Sequence, residues 1–353
     1  MSKKYDLKSV MLQFQVEGSF TGGEPYGGGH INDTFKIDTD ENGKRVRYIL
    51  QRINHLVFKN PEGMMDNIKR VTEHIRNKEN SAFKSPMYLI NTVDDGILHR
   101  DPNGNYWRLY NFIEGAETYD IIESTEQAYQ GAKAFGIFQQ ELADLPGDDL
   151  FETIPDFHNT PKRYKAFELA LIEGDTARIE AAQEEIALAK KLRKYAPIIT
   201  DLLASGKIPA RVTHNDTKLN NVMLEDGTQE GICVIDLDTL MTGSSLYDFG
   251  DFIRTAGRIG AEDEKDLSQL SFSEEMYEAS LKGFLETAGS ALNQLEKDHL
   301  AISSIVMTYE VGLRFLTDYL MGDVYFKTSH ETHNIERTRV QFKMVDEIKK
   351  RLD

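Results

Sequence analysis

The stretch from Arg211 to Asp238, RVTHNDTKLNNVMLEDGTQEGICVIDLD, constrains this chain more than any other. A short apolar entry at Val212 leads into a polar cluster, His214, Asn215 and Asp216. Lys218 follows Asp216 by two positions and Asn221 follows it by five. An apolar pair (Val222, Met223), a turn at Glu225-Asp226-Gly227 and an apolar run from Ile232 to Ile235 then lead to Asp236-Leu237-Asp238. Two short apolar runs around a glycine-containing turn read as a hairpin. The pattern is therefore a polar loop closed by a hairpin that ends in an acidic residue.

Composition bounds what such a loop can serve. At 353 residues the chain has length for about two domains. Its 40% hydrophobic and 28% charged residues are ordinary for a globular protein. Lys and Arg number 41 against 58 Asp and Glu, a net charge of −17. A surface that acidic repels nucleic acid and anionic membranes, whose affinity rests on neutralising phosphates with Lys and Arg. Neither is an expected partner, and a bound nucleotide would need a local cationic pocket or Mg²⁺. The single cysteine, Cys233, excludes an internal disulfide and a cysteine-based zinc cluster. MSKKYDLKSVMLQF at the start has basic residues without an apolar core behind them, so a secretory signal is not expected. No run of about 18 apolar residues is found, no transmembrane helix is expected, and the expected location is the cytoplasm.

Along the chain, residues 5–18 read as a short amphipathic helix. A glycine run, Gly27 to Gly29, precedes a strand over 31–38. The Asn42-Gly43 turn joins that strand to a second over 46–53, a hairpin signal. Met64, Ile68, Val71 and Ile75 recur at helical spacing behind Pro61, which suits a first helical turn. Strands are expected over 87–93, 97–100 and 107–113. Helices are expected over 125–142, 160–173, 176–195 and 198–203, and beyond the hairpin over 246–256, 273–287, 295–320 and 333–352. The fold class is thus α+β and bilobal, protein-kinase-like: a small β-rich lobe over residues 1–113 that binds nucleotide and ends in a hinge, and a larger helical lobe over 114–353 that carries the catalytic loop.

In that frame H-x-D-x-K-x-x-N followed by a strand-end Asp is the layout of a kinase catalytic loop and its metal strand. Phosphoryl transfer needs an acceptor hydroxyl in line with the γ-phosphate and a carboxylate to orient it. Asp216 is placed for that role; alone it would read as a loop cap. Lys218 is placed to reach the γ-phosphate, or else is a solvated loop lysine. Asn221 and Asp236 form the expected metal pair, since Mg²⁺ takes a few hard oxygens and completes its shell with phosphate and water. Asp238 is either a further ligand or solvated. Asp248-Phe249-Gly250 spells the kinase D-F-G triplet, but it follows Gly243-Ser244-Ser245 at the head of a helix, where capping is the expected job. Gly27, Gly28 and Gly29 would let backbone amides approach the phosphates. Cys233 has no activating neighbour and reads as a small buried residue.

The strings THNDTKLNNVMLEDG and VIDLDTLMTGSSLYDFGDFIR resemble the aminoglycoside phosphotransferase and choline kinase family. Within it the chain is similar to the N-acetylhexosamine 1-kinases, through EPYGGGHINDTF, RLYNFIEG, FHNTPKRYKAF, VGLRFLTDYLMGDVYF and HNIERTR. The resemblance covers nearly the whole chain. It implies an alcohol-acceptor phosphotransferase using ATP and Mg²⁺ on the anomeric hydroxyl of GlcNAc or GalNAc, with a sugar and a nucleotide as partners; oligomeric state stays open. It implies Asp216 as base, Asn221 and Asp236 as metal ligands, and the hinge backbone at Asn111, Phe112 and Ile113 around adenine. It also implies His30, Arg314 and Tyr325, with Thr239 beside them, at the hexosamine. Without it, Arg314 reads as an i,i+4 partner of Asp318, Tyr325 as a core aromatic and His30 as a loop histidine.

Two departures from the pattern stand out. Gln51 stands where the third strand would carry its lysine; it is placed to bond phosphate oxygens but adds no charge, leaving Mg²⁺ and Arg52 to supply more. Gly23 and Thr255 are small, which implies a roomier sugar pocket. Two other readings stay open: the same fold acting on an aminoglycoside, choline, homoserine or another small alcohol, and a nucleotide-binding pseudokinase.

Overall fold

The computed structural model describes residues 5–27 and 31–352. Its first part is an antiparallel sheet built from β1 (Ser19–Pro25), β2 (Asp33–Glu41), β3 (Lys44–Ile53), β4 (Leu89–Ile90), β5 (His99–Arg100) and β6 (Tyr106–Asn111). Its order is β1-β2-β3-β6-β4, with β5 also on β6. The Asn42-Gly43 turn has both residues at positive φ, 57° and 82°, which fits the right-handed twist of a tight hairpin. β1 is a strand the sequence reading missed. It pairs with β2 through Pro25↔Phe35.

Alternation gives the sheet two faces. Ile37, Leu50, Trp107 and Leu109 form a small core with Val10, Met11 and Phe14 of the N-terminal segment. Ile53 and Tyr110 look the other way, into the main core. The N-terminal segment is helical only over Leu7–Met11, shorter than the expected 5–18. Phe14 instead bridges to Thr92, and Gln15 and Val93 exchange backbone bonds with Asn91 and Gln13. Pairing with this edge outcompetes further helical turns.

The helix Pro61–Arg76 packs its apolar stripe under the sheet, capped by Asn60, whose side chain accepts from Gly63 N. From its inner face the buried Asn67 donates to Phe151 O (2.7 Å) and Leu240 O (2.9 Å), joining the two halves of the molecule. After the hinge, Gly115 (φ 67°) turns the chain into β7 (Ala116–Glu117).

The helical half is arranged around Leu300–Leu320, packed by Thr160–Glu173, Ser245–Ala256 and His333–Leu352. Contrary to the expectation of no such stretch, Leu300–Leu320 is long and apolar enough to cross a membrane by length and composition. Its 18-residue apolar window is 78% buried inside the protein, which is how a core helix behaves. Helices Thr125–Glu141 and Glu274–Ala288 approach until a Cβ at Gly283 would lie 2.2 Å from Tyr129 O, so only glycine fits their crossing. The expected helices over 176–195 and 295–320 are each broken, the second at His299. Together these elements form the protein-kinase-like α+β fold, a small antiparallel lobe on a helical one.

Candidate active site

Three short strands fix the loop that opened the sequence reading. β8 (Arg211–Thr213) leads into it, and β9 (Val222–Glu225) pairs with β10 (Gly231–Val234) through Val222↔Val234. β11 (Met241–Gly243) lies against β8. Asn221 sits at the head of β9 and Asp236 just past β10, and Ile235 N bonds to Asn221 O at 2.9 Å. The hairpin register therefore brings the amide and the carboxylate side by side.

Asp216 lies at the centre. Lys218 Nζ is 3.0 Å from its Oδ2, and Asn221 Nδ2 donates to its carbonyl at 2.8 Å and to Oδ2 at 3.3 Å. Burial raises the Asp216 carboxyl, but the charge of Lys218 and its hydrogen bond outweigh it, and the group ends below the usual carboxylate range. It is ionised and ready to accept a proton or orient a hydroxyl. Lys218 is pulled down by burial and pushed further up by Asp216 and Asp236, so it keeps its charge.

Asp236 behaves differently. Its backbone is left-handed (φ 59°), and it is exposed. Desolvation, then the nearby charges of Asp238 and Asp216, push its carboxyl up to about 6. Its oxygens accept no hydrogen bond among the described residues, and neither does Asn221 Oδ1. No group of three or more His, Cys, Asp and Glu with metal geometry occurs among the described residues. One free carboxylate and one free amide oxygen suit Mg²⁺, which takes its remaining ligands from phosphate and water.

Buried bonds hold the loop in shape. His214 Nδ1 accepts from Asp216 N (3.2 Å), so Nε2 carries the proton and donates to Ile235 O (2.9 Å). Asn215, at φ 66°, donates from Nδ2 to Thr213 O and Thr239 O. The D-F-G aspartate has a role the sequence reading did not assign. Ser244 is the cap of its helix, not Asp248. Fully buried Asp248 instead accepts from Asn215 N (2.8 Å), His214 N (3.1 Å) and Gln139 Nε2 (2.5 Å), and its carbonyl accepts from Thr217 Oγ1 (2.5 Å). It clamps the catalytic loop from behind.

A second clamp escaped the sequence reading altogether. His158 is buried with Nδ1 on Glu310 Oε1 (2.8 Å) and Nε2 on Asn215 O (2.9 Å). Two acceptors require both nitrogens to donate, hence an imidazolium. Burial opposes that charge, but Glu310 more than restores it and raises the histidine's pKa. Glu310 is in turn held low, against its own burial, by His158. The only sequence signal was a histidine inside FHNTPKRY.

The residues that the resemblance implies at the sugar lie beside this clamp. Arg314 lies over the rings of Phe157 (5.0 Å), Phe326 (5.5 Å) and Tyr325 (5.9 Å). It has no carboxylate within 4.0 Å among the described residues. Asp318, its i,i+4 neighbour, is committed to the amides of Val324, Tyr325 and Phe326 at 2.7–2.9 Å, which fixes the Tyr325 loop. Tyr325 is 62% exposed, so it is not a core aromatic. The Thr239 hydroxyl donates to His214 O at 2.7 Å. His30, Gly28 and Gly29 lie outside the described residues.

At the hinge, Phe112 meets Tyr26 edge-on at 5.7 Å, and Arg47 lies 4.1 Å over its ring while pairing with Glu114. The Asn111 side chain turns back, accepting from Tyr88 N at 2.7 Å. Ile113 is buried, and Gly27 has the left-handed φ of 75° that a glycine adopts without strain. Gln51 is committed at both ends, donating to Thr34 Oγ1 (3.0 Å) and accepting from Arg108 Nε (2.9 Å). Two expectations fail here. Arg52 lies on the outer face, paired with Asp33 and over Tyr5, and brings no charge to the cleft. Gly23 also faces outward, where a Cβ would meet Leu7 and Ile37 at 2.9 Å, so it does not widen the acceptor pocket.

With this geometry the relationships to known proteins fall into place. The chain belongs to the APH phosphotransferase enzyme family, whose model matches residues 22–295. Its fold is similar to that of a microcompartment-associated aminopropanol kinase (TM-score 0.66, 14% identity, 96% of this chain and 95% of that one). It is also similar to a spectinomycin phosphotransferase solved with ADP and spectinomycin (0.62, 15%, 97% and 96%). The third is a choline kinase from Cryptosporidium parvum (0.55, 16%, 94% and 89%).

Proposed function

We propose that this phosphotransferase is an ATP-dependent kinase for the anomeric 1-hydroxyl of an N-acetylhexosamine, GlcNAc or GalNAc, working in the cytoplasm. Residues 1–113 form the nucleotide lobe, with Gly27–Gly29 over the phosphates and the backbone of Asn111, Phe112 and Ile113 at the base. Residues 114–353 carry catalysis and the sugar site. Asp216 orients the sugar hydroxyl and accepts its proton, while Lys218 faces the transferring phosphoryl group. Asn221 and Asp236 would hold Mg²⁺, which when bound neutralises phosphate charge. His30, Arg314 and Tyr325 meet the sugar, with Thr239 shaping the loop beneath it. The rate enhancement comes from positioning and fixed charge.

One observation carries the choice of acceptor: Arg314, a guanidinium cradled by three rings and without a carboxylate partner, stands next to the catalytic loop. It can donate to a hydroxyl or an acetamido carbonyl and would repel a cation. The buried carboxylates that could greet a cationic acceptor are already matched, Asp238 by Arg108, Asp251 by Arg254 and Glu310 by His158. That weighs against choline or an aminoglycoside, although the acidic surface would attract either.

The test is ADP release with GlcNAc, GalNAc, glucose, galactose, choline and kanamycin, followed by ³¹P NMR of the product. Turnover with an N-acetylhexosamine and an anomeric phosphate signal is expected. Turnover confined to choline or kanamycin would overturn the acceptor assignment, and none with any acceptor would favour a nucleotide-binding pseudokinase.

A further inference from the structure

Kinases carry a lysine on the third strand that pairs with a helix glutamate and holds the nucleotide phosphates. Here β3 has Gln51 in that place, and the helix Pro61–Arg76 turns Glu73 to solvent. Neither half of the pair is present, and the neighbouring strand β6 carries the buried cation Arg108. β3 and β6 align with Gln51 opposite Arg108, and the 2.9 Å bond between them sets the guanidinium one hydrogen bond from the expected lysine position.

Arg108 is 1% exposed, with Nη1 bonded to Asp238, two residues past Asp236. Asp238 also accepts from Asn32 Nδ2 at 2.7 Å, so one carboxylate ties the β1–β2 side of the sheet to the turn after the metal strand. A buried ion pair is often no more stabilising than an apolar pair of the same volume. Stability alone therefore does not account for a charge set this deep.

Two donors on this face remain unspent. Arg108 Nη2 donates to nothing among the described residues. Tyr110, two residues on and therefore on the same face of β6, has a buried hydroxyl without a partner. Both Arg108 and Tyr110 sense the charges of Asp236 and Asp238. Leaving the buried Tyr110 hydroxyl unbonded is unfavourable, and an acceptor entering the cleft would satisfy it.

We propose that Arg108, held by Gln51 and Asp238 and assisted by the Tyr110 hydroxyl, replaces the strand lysine and binds the phosphates of the nucleotide. The inference rests on the kinase reading, and it concerns phosphate recognition alone. The hinge that would hold adenine lies beyond Tyr110, so base and phosphate contacts are separable.

Isothermal titration with ADP and with adenosine, at fixed Mg²⁺ and salt, tests it. R108K keeps one ammonium for Asp238 and leaves none for phosphate. ADP affinity should fall 10-fold or more while adenosine affinity stays within 2-fold; Y110F should lose a few-fold on ADP only. Should R108K fail to fold, R108M/D238N removes both buried charges together and carries the same comparison. An ADP-to-adenosine affinity ratio unchanged from wild type overturns the inference. Wild-type protein that binds ADP no better than adenosine overturns the kinase reading with it.

Discussion

The proposed phosphoryl-transfer centre and the proposed acceptor wall touch each other through His158, yet they are built in opposite ways. The centre comes from one continuous stretch, Arg211 to Asp238. There strand register alone sets Asn221 beside Asp236, and backbone bonds are locked from behind by Asp248 and His158. The wall is assembled from Phe157 and from the distant segment that carries Arg314 and Tyr325, and its guanidinium rests on ring faces rather than on a fixed ion pair. The contrast assigns invariant geometry to the centre and adjustable recognition to the wall, so substitutions in the two regions should fail differently.

The largest effect is expected at the junction. His158→Leu leaves Glu310 buried and unpaired, a loss of about 3–5 kcal/mol, read as a lower midpoint in denaturant unfolding. The pH dependence has a defined sign. The histidine's folded pKa is raised, so its stabilisation is complete below its unfolded value of about 6.5 and disappears as pH climbs through the folded value. Glu310's is lowered, so its share holds above its ordinary value of 4.5 and disappears as pH falls through the folded value. Wild-type stability should therefore decline above about pH 6.5 more steeply than that of His158→Leu. Parallel profiles would remove the imidazolium from the account.

Next is the centre itself. Asp236→Asn should lower kcat by roughly 10²–10³-fold and shift the Mg²⁺ dependence of ADP binding, while unfolding stays close to wild type. A variant with unchanged metal dependence would contradict the ligand assignment. On the wall, Arg314→Leu should raise KM for the sugar about 10-fold with the KM for ATP unchanged, the signature of a lost acceptor contact. An equal rise in both would make Arg314 a structural residue. Smallest is Tyr325→Phe, expected within about 1.4 kcal/mol, or 10-fold, in kcat/KM and confined to the sugar.

The same contrast explains what the sequence made legible. Spacing within a hairpin is a local quantity, so His214, Asp216, Lys218, Asn221 and Asp236 could be assembled from the residues alone. The two lobes followed from strand alternation giving way to helical period. Tertiary partners were not legible. Asp248 was singled out, but its bonds to the His214 and Asn215 amides depend on how a helix docks behind the loop. Arg108 sat in an apolar run with only alternation to mark its face. Arg52 lies one step along β3 from Gln51, and that step reverses the side it faces. β1 was missed because Gly22, Gly23 and Pro25 dilute its pattern, although its pairing with β2 is regular at the glycine-rich end. The Arg314 and Tyr325 assignments came from resemblance; the aromatic cradle is a feature of the folded chain.

The most direct test of the central claim is Asp216→Asn, measured in single-turnover transfer from ATP to GlcNAc beside nucleotide affinity for the same protein. The isosteric amide keeps the loop's shape and removes the proton acceptor. We predict transfer slower by about 10²–10⁴-fold with ADP affinity and unfolding unchanged. Transfer near the wild-type rate would contradict Asp216 as the group on which the site is built.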